Sequence, residues 1–423
     1  PDYIGSVCFG FLILICLQWL LFLTMKFARR HGYEAETIAF LLSTIGLAIV
    51  ASKVPDSIYK QLAASVMGIF LFLFIGWALR DLERAKKIRY IAAAAGVALL
   101  LFNLVFGTEK FGAKNWIYIG PLSFQPSELV KIAFILAGAA TLDRLFAKRN
   151  LVFTILFSAY CVGCLALMSD FGTALIFFVA FLCIAFLRTG DLPSIAMMVA
   201  AAAFGCGIIL RFKPYIADRF AAWRHAWDYA QDIGYQQTRT MSAMASGGLF
   251  GVGPKDGWLK YVGAANTDLV FGVVGEEFGF LLALCCVAAL VIPIVFTLRC
   301  AAAARSSFYT ILSCATAAML VCQMALNVLG AVDLLPLTGV TFPFVSMGGS
   351  SMISCWGLMA YLKAADTRQN ASFALRLSKL APQQQEKKAA PAPKARPKAP
   401  QEGFFADRPD IPVDKIFGKE EDK

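Results

Sequence analysis

The amino-acid sequence predicts an all-α polytopic membrane protein, and three observations carry that expectation. Of its 423 residues, 59% are hydrophobic and only 16% charged, with a mean hydropathy of +0.66, which leaves too little polar surface to cover a soluble core of this length. The apolar residues gather into runs of about 17 or more, the length that crosses a bilayer as a helix. Those runs are continuously apolar rather than alternating, which favours helices over a barrel.

In order, the expected spans are 3–26, 36–52, 61–79, 90–106, 127–147, 151–169, 173–188, 193–211, 270–298, 307–331 and 346–365. Charge orients them. One set of short loops, from Lys26 to Arg305, holds fourteen Lys and Arg residues, whereas the alternate set holds only Lys53, Lys60, Lys110 and Lys114. Basic short loops stay cytoplasmic, so the first set and the C-terminus are expected inside. The 211–269 loop is then expected outside, despite seven basic residues of its own, because the rule weakens for long loops. An odd span count puts residue 1 outside, and with Pro1 at the start the expectation is that at least one upstream helix is missing. Residues 366–423 are expected to form a disordered cytoplasmic tail: between Arg376 and Lys398 there are seven Lys/Arg against one Glu, set among Pro, Ala and Gln, a composition that reads first as a solvated, solubilising segment and second as one that skims anionic headgroups. The net charge of +11 lies mostly in that tail and the cytoplasmic loops, so nucleic-acid binding is rejected.

The polar exceptions to the apolar pattern crowd the expected outer side. In "NWIYIGPLSFQPSELVKIAFI" (115–135), an aromatic loop leads through Pro126 into a helix whose first turn carries Glu128 and then Lys131, three residues apart and able to pair. Ser127 is expected to cap that helix, and the helix dipole favours Glu128 there. A cation belongs near the other end of a helix, so Lys131 is expected to meet an anionic ligand. Asp170, in a very short outer turn, reads equally as a helix cap or a functional acid. In the long loop, Arg219 and Arg224 are expected on one amphipathic stretch with Trp223 and Trp227, lying near phosphate headgroups. Gly247, Gly248, Gly251 and Gly253 follow, but no strand precedes them, so a nucleotide loop is rejected. Asp268 stands at the outer mouth of the ninth span. Glu276 and Glu277 lie about two turns deeper and ~100° apart, so at least one is expected to be paired within the bundle. Pro336, Pro343 and two adjacent glycines interrupt the last apolar run, and irregular backbone at that depth must be buried or line a cavity. Ser346, Gly348, Gly349 and Ser350 open the final helix, whose amides make an anion site. The twelve cysteines sit mostly inside spans as small apolar filler.

Five stretches in this order, "WIYIGPLSFQPSELVK", "SDFGTALI", "GYQQTRTMSAMASGGLFGVG", "NTDLVFGVVGEEFGF" and "LLPLTGVTFPFVSMGGSS", resemble the SEDS family (shape, elongation, division and sporulation), typified by RodA, FtsW and SpoVE, over about residues 37–365. The resemblance implies a ten-helix domain at 36–365 in a bacterial inner membrane, with 1–35 as an additional N-terminal transmembrane helix and cytoplasmic loop. It implies a glycosyltransferase that polymerises lipid II into peptidoglycan glycan strands beside a class B penicillin-binding protein. Asp268 aligns with the family's essential aspartate and would act as general base. Lys131, Arg219 and Arg224 would receive the pyrophosphate leaving group, with Glu128 orienting Lys131. Trp116, Gln125, Asp170, Ser346, Gly348, Gly349 and Ser350 would complete the substrate site. The family's activity also implies a divalent cation, Mg or Mn, although no metal-ligand spacing is visible. Where the family often has Glu and His ahead of the aspartate, this chain has Ala264 and Asn266, which reads as a diverged paralogue. Two other functions compete: a flippase for the lipid-linked precursor, which would need an inner polar cluster that is absent here, and a non-catalytic scaffold for the penicillin-binding protein.

Overall fold

The computed structural model describes residues 3–30, 32–110, 112–120, 122–141, 148–302 and 306–366. The expected tail from residue 367 onward lies outside the described residues, as do Arg144 and Arg305. Each expected span, as far as it is described, falls on helix: α1 (Ile4–Phe27), α2 (Glu34–Lys53), α3 (Ile58–Leu79), α4 (Leu82–Phe106), α5 (Pro126–Thr141), α6 (Lys148–Leu167), α7 (Phe171–Thr189), α8 (Leu192–Phe212), then, after α9 (Pro214–Ala222) and α10 (Tyr235–Gly247) of the long loop, α11 (Val270–Glu277) with α12 (Phe280–Ala302), α13 (Ser307–Ala331) and α14 (Gly349–Ala364); residues 142–147 of the fifth span lie outside the described residues. Among them α1–α4, α7, α12 and α13 are long and apolar enough to cross a membrane. The chain is an integral membrane protein.

The ninth span departs from expectation. It is broken into α11 (Val270–Glu277) and α12 (Phe280–Ala302). Gly279 makes the break: its φ is +89°, and a Cβ there would stand 2.2 Å from the Leu249 carbonyl oxygen, so no side chain fits. The amides of Phe280 and Leu281 donate to the carbonyls of Gly248 and Leu249 instead (2.9 and 3.3 Å). A second departure is a small antiparallel sheet, β1 (Thr108–Lys110), β2 (Ala113–Ile119) and β3 (Leu122–Phe124), where a loop was expected.

Helix α14 is buried along its length. Trp356 is ringed by Phe40, Phe72 and Phe344 at centroid distances of 5.1, 5.8 and 5.7 Å. Gly68 on α3 lets that ring approach, since a Cβ there would lie 2.7 Å from the Trp356 Cδ1; small residues buy such close contact between helices where lipid offers no hydrophobic drive. At the far end of α14, Lys363 pairs with Glu36 at 3.0 Å and donates to the Gly32 carbonyl, a buried ion pair that ties α14 to α2.

Candidate active site

At the opposite end of α14, two irregular segments meet. The 332–348 segment between α13 and α14 carries the prolines that break the last apolar run. Residues 264–269 lead into α11. The two are laced together: the Met347 amide donates to the Asn266 carbonyl (2.9 Å) and the Ser346 hydroxyl to the Thr267 carbonyl (2.6 Å). Ser346 also accepts from the Phe342 amide (2.8 Å), which closes a turn of its own segment. Gln61 of α3 supports this turn from below, accepting from the Gly348 amide at 3.3 Å. From Phe342 to Ser346 the irregular backbone is therefore buried in protein, as its depth requires, whereas Leu334 and Gly339 are exposed.

Asp268 sits at this junction. Gly339 has a φ of +71°, and a Cβ built there would lie 3.3 Å from Asp268 Oδ2 and 4.0 Å from Arg219 Nη1. Carboxylate and guanidinium thus face the same bare patch of backbone. Arg219 comes from α9 (Pro214–Ala222), within the long loop, and is held there by donating Nη1 to the Leu337 carbonyl. Arg224 does not share the helix of Arg219. The expected amphipathic stretch ends at Ala222, and Arg224 lies beyond it in the left-handed region (φ 63°), exposed, with its amide donating to Asp333 Oδ1 at 3.0 Å. The helix stops there because the Asp333 carboxylate draws the amides of Arg224 and Ala226 out of a helical ladder.

Lys131 and Glu128 pair as their spacing predicts, Nζ to Oε1 at 2.8 Å, and both are buried. Lys131 also donates to Gln323 Oε1 on α13 (2.9 Å). Gln323 passes the contact on through Nε2 to the Thr341 carbonyl and hydroxyl (3.0 and 3.1 Å), and Thr341 meets Ser351 at 2.8 Å. One buried polar chain thus runs from α5 through α13 to the segment that carries Gly339. Ser127 does not cap α5 with its side chain: its hydroxyl is buried and has no hydrogen-bond partner.

Asp170 caps α7, accepting from the Thr173 amide at 3.2 Å, and its other oxygen accepts from Asn115 of β2 and Gln125 (2.8 and 3.2 Å). That carboxylate anchors the sheet to the bundle. Gln125 in turn donates its amide to the Ser350 hydroxyl (3.3 Å), and Gly349 packs α14 against Ala64 of α3. Trp116 lies half-buried in β2, its carbonyl accepting from Thr108. Glu276 and Glu277 diverge as expected. Glu276 accepts from the amides of Trp258 and Leu259 (2.7 and 3.1 Å), whereas Glu277 meets Lys53 at 3.0 Å and Ser52 at 2.9 Å. Both carboxylates hold the fold. Gln323, Asn327, Thr341 and Gly339 escape the sequence reading; the signal for the first two is a pair of amides four residues apart on one face of an apolar span.

Known proteins resemble this chain in sequence and fold. Over residues 38–371 the sequence matches the FtsW/RodA/SpoVE family, described as cell cycle proteins. The peptidoglycan glycosyltransferase RodA of Mycobacterium leprae is 29% identical over 325 residues, covering 72% of this chain and 68% of its own. An FtsW of Borreliella burgdorferi, named as a probable peptidoglycan glycosyltransferase, is 31% identical over 266 residues, covering 61% of this chain and 73% of its own. Among solved structures, a chain from work on how a peptidoglycan synthase complex coordinates polymerization and crosslinking superposes with a TM-score of 0.65 at 27% identity, over 78% of this chain and 96% of that one. The rod shape determining protein RodA of Thermus thermophilus shares the fold, with a TM-score of 0.59 at 24% identity over 78% of this chain and 95% of that one.

Proposed function

This chain belongs to the FtsW/RodA/SpoVE family, and on that premise we propose that it is a peptidoglycan glycosyltransferase that polymerises lipid II at the outer face of a bacterial inner membrane, with its C-terminus cytoplasmic. One observation carries the reading: a carboxylate, Asp268, and a guanidinium, Arg219, flank the same exposed glycine, Gly339. In the transfer, the acceptor sugar's 4-hydroxyl gives its proton to Asp268 while its oxygen bonds to the donor's anomeric carbon. The bond from that carbon to polyprenyl pyrophosphate breaks, and the leaving group takes the electron pair. Arg219 receives that charge. Of the three cations expected to meet the pyrophosphate, the geometry supports Arg219; Lys131 is 1% exposed and bonded to Glu128 and Gln323, so it acts by steadying Thr341 from within.

A divalent cation, Mg or Mn, would arrive on the pyrophosphate itself. Among the described residues no three His, Cys, Asp or Glu side chains stand together as a cage, and Mg in such sites keeps waters and binds chiefly through substrate phosphates. Support for the outer face comes from the scarcity of Lys and Arg in the short loops at this end. Support for a crosslinking partner, a class B penicillin-binding protein, comes from the similar chain in a peptidoglycan synthase complex.

The test is purified protein with fluorescent lipid II, with and without the partner. Glycan ladders are expected. Lipid II moved across a vesicle without ladders would favour the flippase, and neither product would favour the scaffold. Gly339→Ala provides a second check. The alanine must adopt a positive φ, at a cost of about 1–2 kcal/mol, and its methyl crowds the Asp268 carboxylate. Polymerisation is expected to fall on the order of tenfold for each 1.4 kcal/mol so imposed on the transition state, read as initial rates, while the protein stays folded.

A further inference from the structure

We propose that Asn327 is a positioning residue for the transfer, setting, together with Ser346, where the Asp268 carboxylate stands; the inference rests on the reading of Asp268 as the base. Three consecutive carbonyls in the loop that carries the base are held from outside that loop. Asn266 accepts from the Met347 amide, Thr267 from the Ser346 hydroxyl, and Asp268 from Asn327 Nδ2 at 2.9 Å. The second proton on the same nitrogen goes to the Val340 carbonyl at 2.8 Å. Val340 adjoins Gly339, the residue that both Asp268 and Arg219 face. A single planar amide, with two donors on one nitrogen, therefore fixes the distance between the backbone of the base and the backbone beneath the cation's head.

Packing alone does not explain the residue. Asn327 is 1% exposed near the C-terminal end of an apolar helix, and its Oδ1 is buried without a hydrogen-bond partner. A leucine would fill the same space without leaving a desolvated oxygen, a burden that falls on whatever the two donated bonds secure. Because α13 is a regular helix over Ser307–Ala331, the amide is mounted on a rigid element, whereas the loop it grips has no ladder of its own. Ser346 makes the matching grip one residue earlier.

The experiment measures polymerisation kinetics of the full chain with fluorescent lipid II for Asn327→Leu, Asn327→Gln and Ser346→Ala, with the melting temperature of each variant recorded. A misplacement of about 1 Å costs on the order of 100-fold in rate, so Asn327→Leu is expected to lower kcat by roughly that factor with KM for lipid II little changed. Asn327→Gln, which keeps both donors on a longer arm, is expected to recover part of the loss. A folded Asn327→Leu with wild-type kcat, or one whose loss lies in KM, overturns the inference. Should Asn327→Leu fail to fold, Ser346→Ala decides, since it removes one hydroxyl: lowered kcat with unchanged KM supports the inference, and wild-type kcat overturns it. Asp268→Ala runs alongside. If it is inactive while the folded Asn327 variant is fully active, only the positioning role falls; if it is active, the parent reading falls first.

Discussion

Replacing Lys131 by methionine is expected to destabilise the protein by about 3–5 kcal/mol, the loss that follows when one partner of a buried ion pair is removed. Methionine matches the length of the lysine stem, so the packing volume survives and the effect isolates the charge. Glu128 would be left as a buried carboxylate whose second oxygen already has no hydrogen-bond partner, and Gln323 would lose the ammonium that orients its amide toward Thr341. The measurement is the melting temperature of purified protein in detergent, compared with the Lys131→Met/Glu128→Gln double variant. Neutralising both partners removes the stranded charge, so most of the lost stability should return. Polymerisation should not return with it, because Gln323 still lacks its partner and the segment under Gly339 stays loose. A single variant as stable as wild type would show that the pair contributes nothing to the bundle.

Much of this fold was legible because lipid imposes a simple rule on sequence: a span must be apolar and long, and a charge within it must have a reason. The pairing of Glu128 with Lys131 followed from helical spacing. The divergence of Glu276 and Glu277 followed from their being adjacent on one helix, and the irregular backbone of 332–348 from its prolines. What escaped depended on partners distant in sequence. Gly279 breaks the ninth span because Leu249 lies against it, yet a glycine in an apolar run carries no mark of that contact. Arg224 leaves its helix because Asp333, over a hundred residues away, captures its amide. Asp170 read equally as a helix cap or a functional acid, and it caps α7 while also holding Asn115; the hydroxyls of Ser346 and Ser350 engage Thr267 and Gln125. A polar side chain in an apolar sequence announces that it has a partner, but sequence alone does not say whether that partner is the protein or its substrate.

The largest expected effect on activity is that of Asp268→Asn. Asparagine keeps the shape of the side chain, and the backbone at this position is held through its carbonyl by Asn327, so the loop should remain in place. Its amide cannot take up a proton as a carboxylate does, and general-base catalysis is worth about 10²–10⁴ in rate. The measurement is the rate of glycan formation from lipid II by the folded Asp268→Asn protein beside wild type, under saturating substrate. A loss within that range, with the melting temperature unchanged, is the result the account requires. Glycan made at the wild-type rate would contradict it, because the sugar hydroxyl would then be giving its proton to some other group.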